Sequence, residues 1–123
     1  MTAFILNITF ECRDPLALGQ FWAEVTGYTV DPEANELRTR LTKSDPRGVR
    51  HLVFQKVDEP RQDTRIHIDL AAPEPETEIE RLIEFGARLE DPRDADGRPA
   101  WRGNAEKGWV VLRDPEGNEF CLG

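Results

Sequence analysis

With 123 residues, the chain has room for one domain and one modest core. A hydrophobic fraction of 38% argues against global disorder despite 33% charged residues. A net charge of −8 argues against nucleic-acid and anionic-membrane partners, which select clustered Lys and Arg.

Phe4 to Cys12 alternates, with Phe4, Leu6, Ile8, Phe10 and Cys12 on one face and Asn7, Thr9 and Glu11 on the other, which predicts a strand. The same stretch holds the longest apolar segment, Phe4 to Phe10, and Asn7 and Thr9 interrupt it. Neither a signal peptide nor a transmembrane helix is therefore expected, and a cytoplasmic location is the default. Asp14-Pro15 is a helix start, because Asp14 can cap free amides and Pro15 suits the first turn. Leu18, Phe21, Trp22 and Val25 follow at helical spacing, and Gly27 closes the helix. Short strands are expected at Tyr28 to Val30 and Glu36 to Leu41, and a stronger one at His51 to Val57, with a polar turn from Thr42 to Gly48. Asp58 to Thr64, with Pro60 and many charges, reads as a linker.

The second half repeats this order. Arg65 to Leu70 alternates, with Arg65, His67 and Asp69 on the polar face. Pro73 and Pro75 precede a helix bearing Ile79, Leu82 and Ile83, closed by Gly86. Its acidic residues Glu76, Glu78, Glu80 and Glu84 form a solvated face. Ala87 to Glu90 is a short strand, Asp91 to Arg98 a charged loop, and Trp109 to Arg113 with Glu119 to Leu122 a hairpin turning at Asp114-Pro115-Glu116-Gly117-Asn118. The two copies align through Asn7 and His67, which stand seven residues before Asp14 and Glu74 respectively.

The expected fold class is α+β, in one domain spanning 1–123. Two paired βαβββ modules, residues about 3–57 and about 65–122 joined by linker 58–64, form a cup-shaped, mostly antiparallel sheet with helices outside. The polar inner faces are the natural ligand site. Cys12 and Cys121 fall on different strand faces and are expected as free thiols in a reducing compartment.

Three stretches resemble the vicinal oxygen chelate superfamily of glyoxalase I, bleomycin-resistance proteins and extradiol dioxygenases, and especially its small bacterial glyoxalase-like domains. They are Asp14-Pro15 through Phe21-Trp22 to Gly27-Tyr28, then Leu52 to Val57 with Glu59-Pro60 and His67-Ile68-Asp69-Leu70, and finally Asp114 to Cys121. Metal-dependent members carry ligands on the first and last strand of each half, which the resemblance maps to Asn7, Gln55, His67 and Cys121. His67 is a typical ligand and Gln55 a tolerated one, whereas Asn7 stands for an expected His and Cys121 for an expected Glu.

Superfamily chemistry uses a divalent ion to bind two neighbouring substrate oxygens, which needs anionic or imidazole ligands. Amides bind weakly, and two good ligands are too few for a stable zinc site. No cofactor is therefore expected; a divalent metal, if held, would use His67, Gln55 and Cys121, with Asp69 and Glu119 sharing the same face. The expected ligand-binding set is Asn7, Gln55, His67, Asp69, Trp101, Trp109, Glu119 and Cys121, with Trp101 and Trp109 walling the cleft. Trp22 reads as core. His51 reads equally as an inner-face residue or an exposed strand end. Cys121 has no second His placed to activate it. Glu11, Asp69 and Glu119 become candidate general bases only in a dry site.

The leading expectation is a small-molecule binder, like the resistance proteins that sequester a ligand, forming a homodimer by resemblance. The rivals are a metal-dependent lyase, isomerase or dioxygenase, and a purely structural domain without a cavity.

Overall fold

A computed structural model describes residues 7–45, 47–60, 68–103 and 108–123. The chain divides into two compact units, Met1–Gln62 and Asp63–Gly123. Unit one runs β1 (Asn7–Cys12), α1 (Pro15–Thr26), β2 (Thr29–Val30), β3 (Arg38–Thr42) and β4 (His51–Lys56). Its sheet has the order β1-β4-β3-β2, with β1 and β4 parallel and the other pairs antiparallel. Unit two repeats the plan with β5 (Ile68–Leu70), α2 (Pro75–Glu84), β6 (Arg88–Leu89), β7 (Val110–Arg113) and β8 (Glu119–Leu122). The order there is β5-β8-β7-β6, again with the outer β5–β8 pair parallel. The α+β class and the βαβββ repeat are therefore those expected. The expected strand residues Phe4 to Leu6 and Arg65 to His67 lie outside the described residues.

Helix α1 starts and stops as its sequence dictates. The Asp14 carboxylate accepts the Ala17 amide at 3.1 Å, and Pro15 occupies the first turn. Gly27 takes the left-handed conformation, φ 75°, and its N–H returns to the Ala23 carbonyl at 2.8 Å. Leu18, Phe21 and Trp22 are buried as the spacing predicts. Phe10 stacks on Phe54 at 4.9 Å and meets Trp22 at 5.4 Å, so the α1 side of the sheet is aromatic. Full burial of each such ring contributes about 1.5–3 kcal/mol.

Gly19 faces the sheet where nothing larger fits. A Cβ there would lie 2.6 Å from the Cγ2 of Thr39, itself fully buried on β3. Strand β3 begins at Arg38 rather than Glu36, because the Asn35 side chain accepts the amides of Leu37 and Arg38 and holds that stretch in a turn.

Unit two buries Ile79 and Leu82 of α2 together with Val110, Leu112, Phe120 and Leu122. Glu74 occupies the position equivalent to Asp14 but makes no side-chain cap bond among the described residues. Of the acidic α2 residues, Glu78 pairs with Arg81 and Glu80 with Arg93, so this face is partly ion-paired rather than merely solvated. The β7–β8 turn is organised by Asp114, which is fully buried. Its carboxylate accepts the amides of Glu116 and Asn118 at 3.0 and 2.9 Å and the Asn118 side chain at 2.8 Å.

Candidate functional site

In unit one, the sheet face away from the aromatic side carries the polar residues of each strand. The register fixes which of them meet. Asn7 lies opposite His51, which lies opposite Thr42, whereas Gln55 lies opposite Glu11 and Arg38. Asn7 and Gln55 are thus four rungs apart on the same ladder, roughly 13 Å at about 3.3 Å per residue. The Asn7 amide donates to Thr9 Oγ1 at 3.0 Å.

A hydrogen-bonded chain occupies the Asn7 end of this face. Thr42 Oγ1 donates to Asp31 Oδ1 at 2.9 Å and lies 3.0 Å from His51 Nδ1, and Arg40 Nε donates to the other Asp31 oxygen. Partial burial pushes the Asp31 carboxyl upward. The bonds from Arg40 and Thr42 and the charges of Arg40 and His51 outweigh this and hold it below the ordinary carboxylate range. Asp31, Glu33, Arg40, Thr42, Arg50 and His51 line an open cleft of about 600 Å³. The sequence reading left His51 undecided and missed the other five. The available signal was the 3.4 Å-per-residue hairpin geometry that sets Thr42 against His51 once the register is known.

In unit two, the face opposite Phe120 and Leu122 brings together more of the expected set. Asp69 lies opposite Cys121, and Glu119 lies opposite Arg113. Arg113 bonds Glu90 and reaches Glu119 at 3.5 Å. Burial pushes the Cys121 thiol above its ordinary value, the charges of Asp69 and Glu119 push it further, and Arg102 opposes them. Trp109 exchanges backbone hydrogen bonds with Arg102 at 2.7 and 2.9 Å. A Cβ on Gly123, two residues beyond Cys121, would lie 3.4 Å from Trp109 Cβ, which places this ring's backbone at the end of the Cys121 row. Trp101 and Trp109 are each 40% exposed, while Trp22 is buried at 1%. His67 lies outside the described residues.

The sequence profile of the glyoxalase-like domain matches residues 7–123. The chain belongs to this glyoxalase-like family, within the vicinal oxygen chelate superfamily. Three solved structures share the fold. A possible glyoxalase from Bacillus cereus is 16% identical, with 98% of each chain covered and a TM-score of 0.67. A glyoxalase/bleomycin resistance protein/dioxygenase family enzyme from Burkholderia phytofirmans PsJN is 15% identical, with 98% and 97% covered and a TM-score of 0.70. A glyoxalase-related enzyme from Fulvimarina pelagi is 15% identical, with 98% and 87% covered and a TM-score of 0.69. No curated protein matches the chain significantly.

Three of the superfamily's four metal positions, Asn7, Gln55 and Cys121, fall within the described residues. Asn7 is an amide engaged with Thr9, and Gln55 is an amide four rungs distant. Cys121 faces the carboxylates of Asp69 and Glu119, whose charges add to burial in pushing its thiol upward. Asn7 and Gln55, at this separation, do not bind one ion together. Among the described residues, no three His, Cys, Asp or Glu side chains are grouped to hold a metal. Both cysteines are free, Cys12 buried on the aromatic side of its sheet and Cys121 half-buried on the polar side of its own. Among the described residues, no helix is long and apolar enough to cross a membrane.

Proposed function

We propose that this glyoxalase-like domain binds a small organic molecule without assembling the superfamily's full metal site. The observation that carries this reading is the pair of large, 40% exposed indoles, Trp101 and Trp109, the second of them beside the Asp69–Cys121–Glu119 row. Half-exposed aromatic rings beside a few polar groups offer an apolar wall and hydrogen-bond partners to a ligand. Asp69 and Glu119 accept hydrogen bonds there, and the Cys121 thiol contributes a soft surface. The partner is a small molecule, with neither nucleic acid nor membrane, and the assembly is a homodimer located in the cytoplasm. The homodimer rests on the family resemblance and is checked by light scattering.

The rival is a metal-dependent lyase, isomerase or dioxygenase built on His67, Gln55 and Cys121. One experiment separates the two. Protein purified without a His tag is analysed for metal, melted with and without Zn²⁺, Ni²⁺, Mn²⁺, Fe²⁺ and a chelator, and screened for ligands by tryptophan fluorescence. A ligand response that survives chelation and is lost in Trp109→Ala supports the binder. A stoichiometric ion, or a metal-dependent rise in Tm abolished in His67→Ala, overturns it.

A further inference from the structure

We propose that the cleft of unit one is a second ligand site, taking a small monocarboxylate that carries a neighbouring O–H or N–H donor, such as a hydroxy acid. The proposal goes beyond the reading above and does not depend on it, since its residues are Asp31, Thr42, Arg50 and His51.

Proton bookkeeping along the hydrogen-bonded chain supplies the argument. Asp31 is held as a carboxylate by Arg40, so it only accepts hydrogen bonds. The single hydroxyl proton of Thr42 is committed to Asp31 Oδ1 at 2.9 Å. Toward His51 Nδ1, 3.0 Å away, Thr42 Oγ1 can therefore only accept. Nδ1 must carry a proton, and in the neutral ring Nε2 is then the unprotonated acceptor. Nε2 has no partner among the described residues, and the ring lines the cleft. Asp31 and Thr42 thus lock one tautomer whose lone pair is left for a ligand's donor.

Arg50 supplies the second recognition element. It lines the same cleft and makes no ion pair or side-chain hydrogen bond among the described residues. Its planar fork suits a carboxylate bound through two parallel hydrogen bonds. Glu33, on the same wall, and the ionised Asp31 disfavour a ligand with more than one negative charge, which selects a carboxylate over a phosphate dianion. The cleft volume of about 600 Å³ accommodates a molecule of this size with its solvent.

The test is a long-range ¹H–¹⁵N correlation spectrum of the labelled protein, in which His51→Gln assigns the resonances of one of the two histidines. The expected result is an Nδ1-protonated tautomer for His51, kept in Thr42→Ser and lost in Thr42→Val. Adding L-lactate shifts the Nε2 resonance, while acetate, which lacks the donor, binds about tenfold more weakly, the worth of one hydrogen bond. Arg50→Gln weakens lactate binding by a similar factor and leaves the tautomer unchanged. An Nε2-protonated ring in the wild type, equal responses to lactate and acetate, no response to lactate, or tighter binding of inorganic phosphate each overturns the proposal.

Discussion

Asn7 stands opposite His51 across the parallel β1–β4 ladder, four rungs from Gln55. Two positions that the superfamily pattern pairs as metal ligands are therefore separated, and a residue outside the pattern takes the place beside Asn7. The register has a direct consequence. In Asn7→His, two imidazoles face each other on adjacent strands about 4.8 Å apart. This variant gains a Ni²⁺-dependent rise in Tm that disappears on adding His51→Gln and persists on adding Gln55→Ala. A rise that depends on Gln55 instead would mean the register is wrong.

The Asp31 network makes stability depend on acid. Its folded carboxyl lies below the unfolded value, so its contribution is fully present above the ordinary carboxylate pKa of about 3.9 and is lost as pH falls through the lower folded value. Asp31→Asn is expected to cost about 1 kcal/mol at neutral pH, discounted for the exposure of Arg40, with the two stability curves converging at low pH. Urea unfolding across the acid range checks this, and parallel curves would refute it.

Cys121 is expected to alkylate slowly at neutral pH, because burial and the charges of Asp69 and Glu119 hold it as a thiol. Asp69→Asn or Glu119→Gln removes a negative charge, lowers the thiol pKa and raises the iodoacetamide rate at a given mildly alkaline pH. Cys12 is fully buried and contributes no background in the folded protein. An unchanged rate in both variants would show that the carboxylates do not act on the sulfur.

Gly19→Ala should destabilise, against the helix propensity of alanine, which favours it by about 1 kcal/mol. The new Cβ meets Thr39 Cγ2 at 2.6 Å in a fully buried position, and overpacking of this kind costs about 1–3 kcal/mol. Thr39→Ser deletes that methyl. The double variant Gly19→Ala/Thr39→Ser is expected to recover most of the loss in chemical denaturation, and strict additivity would place the cost elsewhere.

Asp114→Ala should cost about 2–4 kcal/mol, because it strips the partners from the amides of Glu116 and Asn118 in the β7–β8 turn. Thermal melting against the milder Asp114→Asn gives the comparison. A loss below that of an ordinary surface substitution would show that water replaces the carboxylate.

The local chemistry was decided by the sequence itself. Asp14, Pro15 and Gly27 bound α1 through backbone capping that depends on neighbouring residues alone. Strand alternation assigned Cys12 to the buried face and Asn7, Asp69 and Cys121 to the polar ones, because side chains alternate whatever their partners are. The Asp114 to Asn118 turn is likewise a local matter. What the sequence left open was register. Alternation specifies a face, but not which residue on the next strand stands alongside, and the 43–50 connection does not dictate the pairing of β3 with β4. Tertiary structure decided that Thr42 meets His51 and that Asp31 and Arg40 complete the chain. It also decided that Gln55 is far from Asn7, and that Cys121 sits between two carboxylates. These are contacts between residues distant in the chain, and they follow from ladder geometry and side-chain packing, not from spacing along the sequence.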